Sequence, residues 1–512
     1  MRWISDTRRR VLLLGLSSAM NTLRIATTVT TVVTPFVLLA KHSGAFNGPR
    51  LALLLPPIAQ RTARTAKKAG ANKVFGRDLG TGAAMAAAAR ESRARNLCGR
   101  PQRRISTIPL QMSANFDFET PIDRWGTGSL KWEKYAGKDV IPLWVADMDL
   151  RVSPAIEAAL HKHVEHGIFG YTDPTKGVKK AVMKYYKASS ERHGVEIAAE
   201  RWLLFNPGTV QGMNAACAML PERASVMVMT PSYPPFFQTP GWTGRGLVTV
   251  PADRAGGRWT LDWRGMESAM DDHPETALFM LCNPYNPVGR VFTEEELRRL
   301  GEFCERHDLI IVSDEIHCDL ILDEEVQHVS MLALDDGRFA SRTVVLNSPS
   351  KTYNVPGLGC SYAIIPDAKL RKRFTNASSG WITQNSPLGY ASCEAAYTSG
   401  EPWRQALLTH LRGNRAALYA FLEERLPELR IDPMEATYLA WVDVRELGWK
   451  NPAAEFERAG VGLTDGRTFL GDGFVRINFA CPRATLMEAL RRMERAVIEG
   501  YRGKDQPSSA VE

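Results

Sequence analysis

Metal-ligand spacing is missing from this chain, and so is any CxxC pair. The eight cysteines (Cys98, Cys217, Cys282, Cys304, Cys318, Cys360, Cys393 and Cys481) are scattered, most of them in apolar runs. Their placement excludes a zinc ribbon and a disulfide scaffold, and predicts reduced, buried thiols in a cytosolic protein. Long uncharged apolar runs are also missing. Arg24 cuts the first one, and residues 25–40 hold five Thr and a Pro, which is short for a membrane span. Acids are scarce in one place only. Residues 1–111 carry 19 Lys and Arg against 3 Asp and Glu, whereas the rest of the chain carries 45 against 53. The net charge of +8 therefore comes from the leader. The mildly acidic body is not expected to bind nucleic acid, and no membrane partner is expected.

Three readings fit residues 1–111. Arg8-Arg9-Arg10 before an apolar run looks like a twin-arginine export signal, and the Arg-rich, acid-poor composition also suits an organellar transit peptide. The third reading is an upstream-extended start, with Met112 the natural beginning. This segment is set aside as disordered or non-native, and the placement expected for the body is cytoplasmic.

The body divides into an arm with part of a small domain (112–155), a large domain (156–400), a small C-terminal domain (401–500) and a disordered tail (501–512). Apolar runs at 225–230, 277–282, 309–313, 343–346 and 360–365 predict strands buried on both faces, as in a parallel sheet. Thr293-Glu-Glu-Glu296 is a capping box opening a helix to His307. Ser153-Pro154 opens another, and long helices are expected at 403–424 and 483–499. The fold expected is α/β, a wound and mostly parallel sheet with a smaller α+β domain made from both chain ends.

Five segments carry chemistry. Asn347-Ser-Pro-Ser-Lys351 follows an apolar run, so Lys351 stands at a strand end among hydroxyl groups. A lysine so placed can form a Schiff base with pyridoxal phosphate, while Ser348, Ser350 and backbone N–H groups hold the phosphate. Asn206-Pro-Gly208-Thr209-Val210-Gln211-Gly212 opens a helix whose N–H groups and positive dipole end face an anion. Tyr233, in Thr230-Pro-Ser-Tyr-Pro-Pro, can stack on a planar ring. Cys282-Asn-Pro-Tyr-Asn286-Pro restricts the backbone before each Pro and aims the Asn286 amide. Val312-Ser-Asp314-Glu-Ile-His317 ends a strand in an acid that can keep a pyridine nitrogen protonated. Every one of them lies at the strand edge where open α/β sheets bind ligands.

In this order the segments resemble fold-type I pyridoxal-phosphate enzymes of the class I/II aminotransferase superfamily. Leu143-Trp-Val-Ala-Asp-Met-Asp149, His166-Gly-Ile-Phe-Gly-Tyr171-Thr, Tyr233-Pro-Pro-Phe236, Ser313-Asp-Glu-Ile-His317 and Val475-Arg-Ile-Asn-Phe-Ala-Cys-Pro-Arg483 look like the cystathionine β-lyase (cysteine-S-conjugate β-lyase, MalY/PatB-type) branch. The resemblance implies roles. Lys351 carries the cofactor and moves the Cα proton, and Asp314 pairs with the ring nitrogen. Asn286 bonds the ring 3-oxygen and Tyr233 stacks on the ring. Gly208, Thr209, Val210, Gln211, Ser348 and Ser350 hold the phosphate, with Tyr171 reaching it from the partner of a homodimer. Arg476 binds the substrate carboxylate beside Val145 and Ala146. Two positions depart from the aminotransferase pattern. His317 replaces a common Tyr and is read as a satisfied supporting side chain near the cofactor, and Gly359-Cys360 stands where many members have an Arg.

The activity implied is α,β-elimination from L-cystathionine or an S-substituted L-cysteine, giving thiol, pyruvate and ammonia. An aminotransferase would use the same lysine, aspartate and arginine. A cofactor-retaining regulatory protein is the third reading, and the leader shows no helix-turn-helix pattern to support it.

Overall fold

A computed structural model describes residues 116–189, 194–382 and 384–504, with no side-chain description after 500. The leader, Cys98 and residues 505–512 lie outside the described residues, so the expectations made for them stay there; residues 501–504, expected in the disordered tail, instead continue the helix that starts at Arg483.

Seven strands form the central sheet: β1 (Leu203–Asn206), β2 (Ser225–Thr230), β3 (Gly246–Pro251), β4 (Thr276–Cys282), β5 (Ile310–Asp314), β6 (Thr343–Asn347) and β7 (Ser361–Ile364). Their spatial order is β1-β7-β6-β5-β4-β2-β3. All five expected strands are present. The four contacts from β3 to β6 are parallel. The run at 360–365 was expected to be parallel as well, but β7 is antiparallel to both β6 and β1. A strand buried on both faces has the same composition in either direction, so the apolar pattern carries no sign. Because β7 reverses, β1 regains the direction of the parallel group, and its C-terminal end stays on the same edge. Strand β3 was not foreseen. It closes one end of the sheet, with mostly exposed positions interrupted by buried Val248 and Val250.

Helices α1 (Pro154–His166), α2 (Lys176–Ala188), α3 (Thr209–Ala218), α4 (Pro234–Trp242), α5 (Glu294–Arg306), α6 (Pro349–Thr352), α7 (Pro387–Ser399), α8 (Glu401–Arg425) and α9 (Arg483–Lys504) complete the main elements. The expected capping box starts α5: Glu296 N–H donates to Thr293 Oγ1 at 3.2 Å, and Thr293 N–H to Glu296 Oε2 at 2.8 Å. Such a cap stabilises a helix by about 1 kcal/mol. Its apolar stripe buries Leu297, Leu300, Phe303 and Cys304 against a cluster that includes Met227 and Phe279.

The smaller unit has an antiparallel sheet of β8 (Arg430–Ile431), β9 (Leu439–Asp443), β10 (Thr464–Asp465) and β11 (Phe474–Asn478), ordered β8-β9-β11-β10. Chain ends meet here, as expected. Ile141–Pro142 pairs in parallel with Val461–Gly462, and Asn478 N–H donates to Leu143 O at 2.8 Å. The seven described cysteines are buried and form no disulfide among the described residues. Among the described residues no helix is long and apolar enough to cross a membrane.

Candidate active site

The loops leaving β1, β2, β4, β5 and β6 enclose a cavity of ≈ 500 Å³. Residues 144–146 and Arg476 of β11 are part of its wall. Strand β6 feeds directly into α6, which places Lys351 in the cavity. Its Nζ donates to Ala146 O at 2.8 Å. Burial, helped by Arg476, brings this ammonium down to about 8, against the pull of Asp147 and Asp314. Asp314 is the last residue of β5, opposite Cys282 of β4 and Leu346 of β6. Burial pushes its carboxyl up to about 7, although Ile316 N–H, at 3.2 Å from Oδ1, and Lys351 resist.

Arg476 is 5% exposed. It donates to Asn286 Oδ1 and to Trp144 O, both at 3.0 Å, and lies 4.6 Å over the Phe469 ring. No carboxylate pairs with it among the described residues, and its buried Nε has no hydrogen-bond partner there. Burial lowers its proton affinity to about 10, with Tyr233 and Tyr438 opposing. A buried guanidinium held by neutral groups alone is suited to an incoming anion.

Tyr233, Asn286, Ser348 and Ser350 also line the cavity, as do Gly208, Thr209 and Val210 at the start of α3. Gly208, the N-cap of α3, supplies no side-chain cap, which leaves the first N–H groups of that helix without one. Ser348 differs from expectation. Its hydroxyl donates to Cys360 O at 2.6 Å and accepts Ser350 N–H at 3.1 Å, so its proton is already committed. The Ser350 hydroxyl has no protein partner among the described residues. Gln211 is exposed and does not line the cavity. Its amide oxygen lies 2.6 Å from where a Gly208 Cβ would stand. Tyr171 is 99% exposed and also stands away from the cavity wall.

His317 was expected to be satisfied. It lines the cavity, yet its buried Nδ1 has no partner among the described residues. Burial, then Lys351 and Arg476, drive its ring down to about 3, so it stays neutral.

Sequence reasoning missed the scaffold of residues 143–149. Asn478 Nδ2 donates to Val145 O at 2.6 Å and Asp147 O at 2.7 Å. Asn354, at φ 56°, donates to Met148 O and Leu150 O at 3.1 and 2.9 Å; Asn tolerates this left-handed backbone better than most residues. Tyr438 was missed too. Its hydroxyl donates to Ala146 O at 3.0 Å, the same carbonyl that accepts Lys351. Thr437 before it sits at φ 72°, a conformation that costs a β-branched residue about 1–2 kcal/mol. Its N–H donates to Leu320 O at 2.8 Å and its hydroxyl accepts Leu439 N–H at 3.1 Å, which fixes the bend. Asparagine, threonine and tyrosine in unpatterned stretches give no periodic signal.

These residues fit pyridoxal phosphate. A lysine of weakened basicity, a strand-end carboxyl that lacks a cationic partner, an uncapped helix start and the orphaned nitrogens of Arg476 and His317 are demands that one anionic, cationic-ringed ligand with an amino-acid substrate would meet.

The class I and II aminotransferase family model matches residues 138–493. Cystathionine beta-lyase PatB of Bacillus subtilis is 36% identical over 392 residues, covering 74% of this chain and all of that one. The crystal structure of OvoB superposes with a TM-score of 0.72 at 42% identity, covering 75% of this chain and 100% of that one. Cystalysin from Treponema denticola, whose crystal contains pyridoxal 5′-phosphate, gives a TM-score of 0.71 at 32% identity, covering 75% of this chain and 99% of that one.

Proposed function

The chain belongs to the class I and II aminotransferase family, and from that premise we propose that it is a pyridoxal-phosphate-dependent carbon–sulfur β-lyase of the cystathionine β-lyase branch. Its substrates are L-cystathionine or S-substituted L-cysteines. One observation carries the reading: Lys351, Asp314 and Arg476 share one cavity, and none of them has a salt-bridge partner among the described residues. The choice of lyase over transaminase rests on the likeness to cystathionine beta-lyase PatB along that protein's whole length.

When bound, the cofactor supplies an aldehyde for the substrate amine and a cationic ring that draws electrons from Cα. The chain's residues do the rest. Arg476 binds the α-carboxylate and so fixes which Cα bond faces Lys351. Lys351, neutral above about 8, takes the Cα proton. Asp314 would pair with the ring nitrogen and Asn286 would bond the ring oxygen. Thr209, the Val210 N–H and Ser350, which line the cavity, would hold the phosphate. The thiolate leaves from Cβ, and hydrolysis of the remaining fragment gives pyruvate and ammonia.

A homodimer belongs to this proposal. Ile168, Phe169 and Tyr171 are exposed on one segment, and a second copy would cover them and bring its Tyr171 to the phosphate. A cytoplasmic site of action is supported by seven buried cysteines that form no disulfide among the described residues.

The purified protein, incubated with cystathionine or an S-alkyl cysteine and no 2-oxo acid, is expected to release equal amounts of thiol and pyruvate. Turnover that depends strictly on added 2-oxo acid would make it a transaminase instead.

A further inference from the structure

Next to Asp314 in the chain is a buried carboxylate that the chemistry above does not use. Glu315 Oε1 accepts from Ser313 Oγ at 3.0 Å, Ser330 Oγ at 2.9 Å and Met331 N–H at 3.2 Å. Its Oε2 lies 3.3 Å from His328 Nε2, and both side chains are buried. His328 Nδ1 in turn faces Asn283 Nδ2 at 3.4 Å. Asn283 Oδ1 accepts Phe292 N–H at 3.1 Å, which fixes the amide orientation. An amide nitrogen only donates, so His328 Nδ1 accepts and the proton sits on Nε2, pointing at Glu315. The circuit closes through the main chain, because Asn283 N–H donates to Asp314 O at 3.0 Å. Asn283 is also three residues before Asn286, on the same loop.

We propose that Glu315 and His328 are positioning residues: the polar ring they close ties the strand end bearing Asp314 to the loop bearing Asn286, so that the two groups meant for the cofactor ring keep one fixed spacing. The proposal rests on the cofactor assignment above. A side chain at either position that breaks the ring removes the side-chain tie between loop and strand without touching the cavity, and leaves the main-chain bond from Asn283 to Asp314 to hold them alone. Charge adds to the effect. Besides Glu315, Asp314 is faced by Lys351 of α6, by Cys282 of β4 and by Tyr233 at the start of α4. Glu315 is faced by His328 and by Tyr186 of α2. Negative charge beside Asp314 favours a protonated ring, so its removal lowers the pH at which the bound cofactor titrates.

Three readouts on full-length protein test this. They are the dissociation constant of pyridoxal phosphate from the apoprotein, the pH midpoint of the bound cofactor's visible absorbance, and the thermal unfolding midpoint of the apoprotein. Glu315→Gln and His328→Leu are each expected to weaken cofactor binding about tenfold, the size of one lost hydrogen bond to a charged group. For Glu315→Gln the absorbance midpoint is expected to fall by about half a pH unit. His328→Gln, which keeps a donor and an acceptor, is expected to restore binding to within about twofold. Variants that lose thermal stability while both cofactor readouts stay at the wild-type values would overturn the proposal. If Glu315→Gln and His328→Leu do not fold, Ser330→Ala is measured instead. It removes one donor, and weaker cofactor binding supports the ring while wild-type binding overturns it. Wild-type protein that binds no pyridoxal phosphate would sink the function proposed above, a different failure from any of these.

Discussion

Two clusters of buried charge lie on either side of residues 143–149, and they are built on opposite plans. On the arm side, Asp149 accepts from Arg124 Nη1 at 2.6 Å, Trp132 Nε1 at 2.9 Å and Lys131 Nζ at 2.7 Å, while Arg124 also reaches Asp147 at 2.7 Å. Burial alone would raise the Asp149 carboxyl, but Lys131, Trp132 and Arg124 outweigh it and hold it below the usual range. On the cavity side, Lys351 and Arg476 bond only neutral groups, and Asp314 accepts a single backbone N–H. All three are pushed toward neutrality, to about 8, about 10 and about 7. Charges that satisfy one another hold the fold together, and those left wanting partners mark where a ligand belongs.

The contrast breaks most visibly at Lys351. Lys351→Ala is expected to cut kcat by about 10⁴-fold, the upper end for losing a proton-transfer group, with apoprotein stability unchanged or raised. Full lyase turnover by that variant would end the assignment. The mirror experiment is Asp149→Ala, which takes from the buried Lys131 its 2.7 Å carboxylate and leaves it only that of Asp147, 3.9 Å away. A loss of ~3–5 kcal/mol in urea unfolding is expected, and a loss under 1 kcal/mol would mean that the arm cluster is not structural.

Asp314→Asn sharpens the comparison through its sign. The native carboxyl titrates near 7, against 3.8 for the unperturbed group. Between those values the folded apoprotein binds more protons than the unfolded chain, so the contribution of Asp314 to stability is full below about 4 and lost by about pH 7. The variant avoids that loss. Its apoprotein is expected to be more stable than wild type at pH 8 by up to ~4 kcal/mol, with the gap vanishing near pH 4. The pyridoxal-phosphate-loaded proteins should show the reverse order. A gap independent of pH would mean that the carboxyl is not buried uncharged.

How far the sequence could be read follows the same division. Strand-end Lys351, Asp314 and Asn286 sit beside apolar runs and Pro–Gly punctuation, and the structure brings them to one cavity. The capping box at Thr293 was legible because its whole signal spans four residues. The direction of β7 was not, because composition is blind to direction. Nor were Lys131 as a buried cation, or Tyr438, Asn354 and Asn478 as anchors of residues 143–149. Each works across more than a dozen positions of chain, through a backbone carbonyl or a distant carboxylate. Contacts of that kind leave no local pattern. Ser348 shows the converse, a local motif whose hydroxyl proton is already spent on Cys360 O.

Arg476→Lys gives the smallest effect of the four and the finest test. In the arm cluster the cations meet carboxylates, so an ammonium could take part there as a point charge. At position 476 the guanidinium divides its donors between Asn286 Oδ1 and Trp144 O, and Nε is left over. A lysine has no planar fork and cannot bond both neighbours while still presenting two parallel donors to a carboxylate. The expected result is a drop in kcat/KM of about 10²-fold, or ~2.7 kcal/mol, carried mostly by KM. Apoprotein stability should change little, because the charge being exchanged has no ionic partner to lose. If KM stays at the wild-type value while urea stability falls, Arg476 belongs with the arm residues as structure, and the substrate carboxylate is held elsewhere.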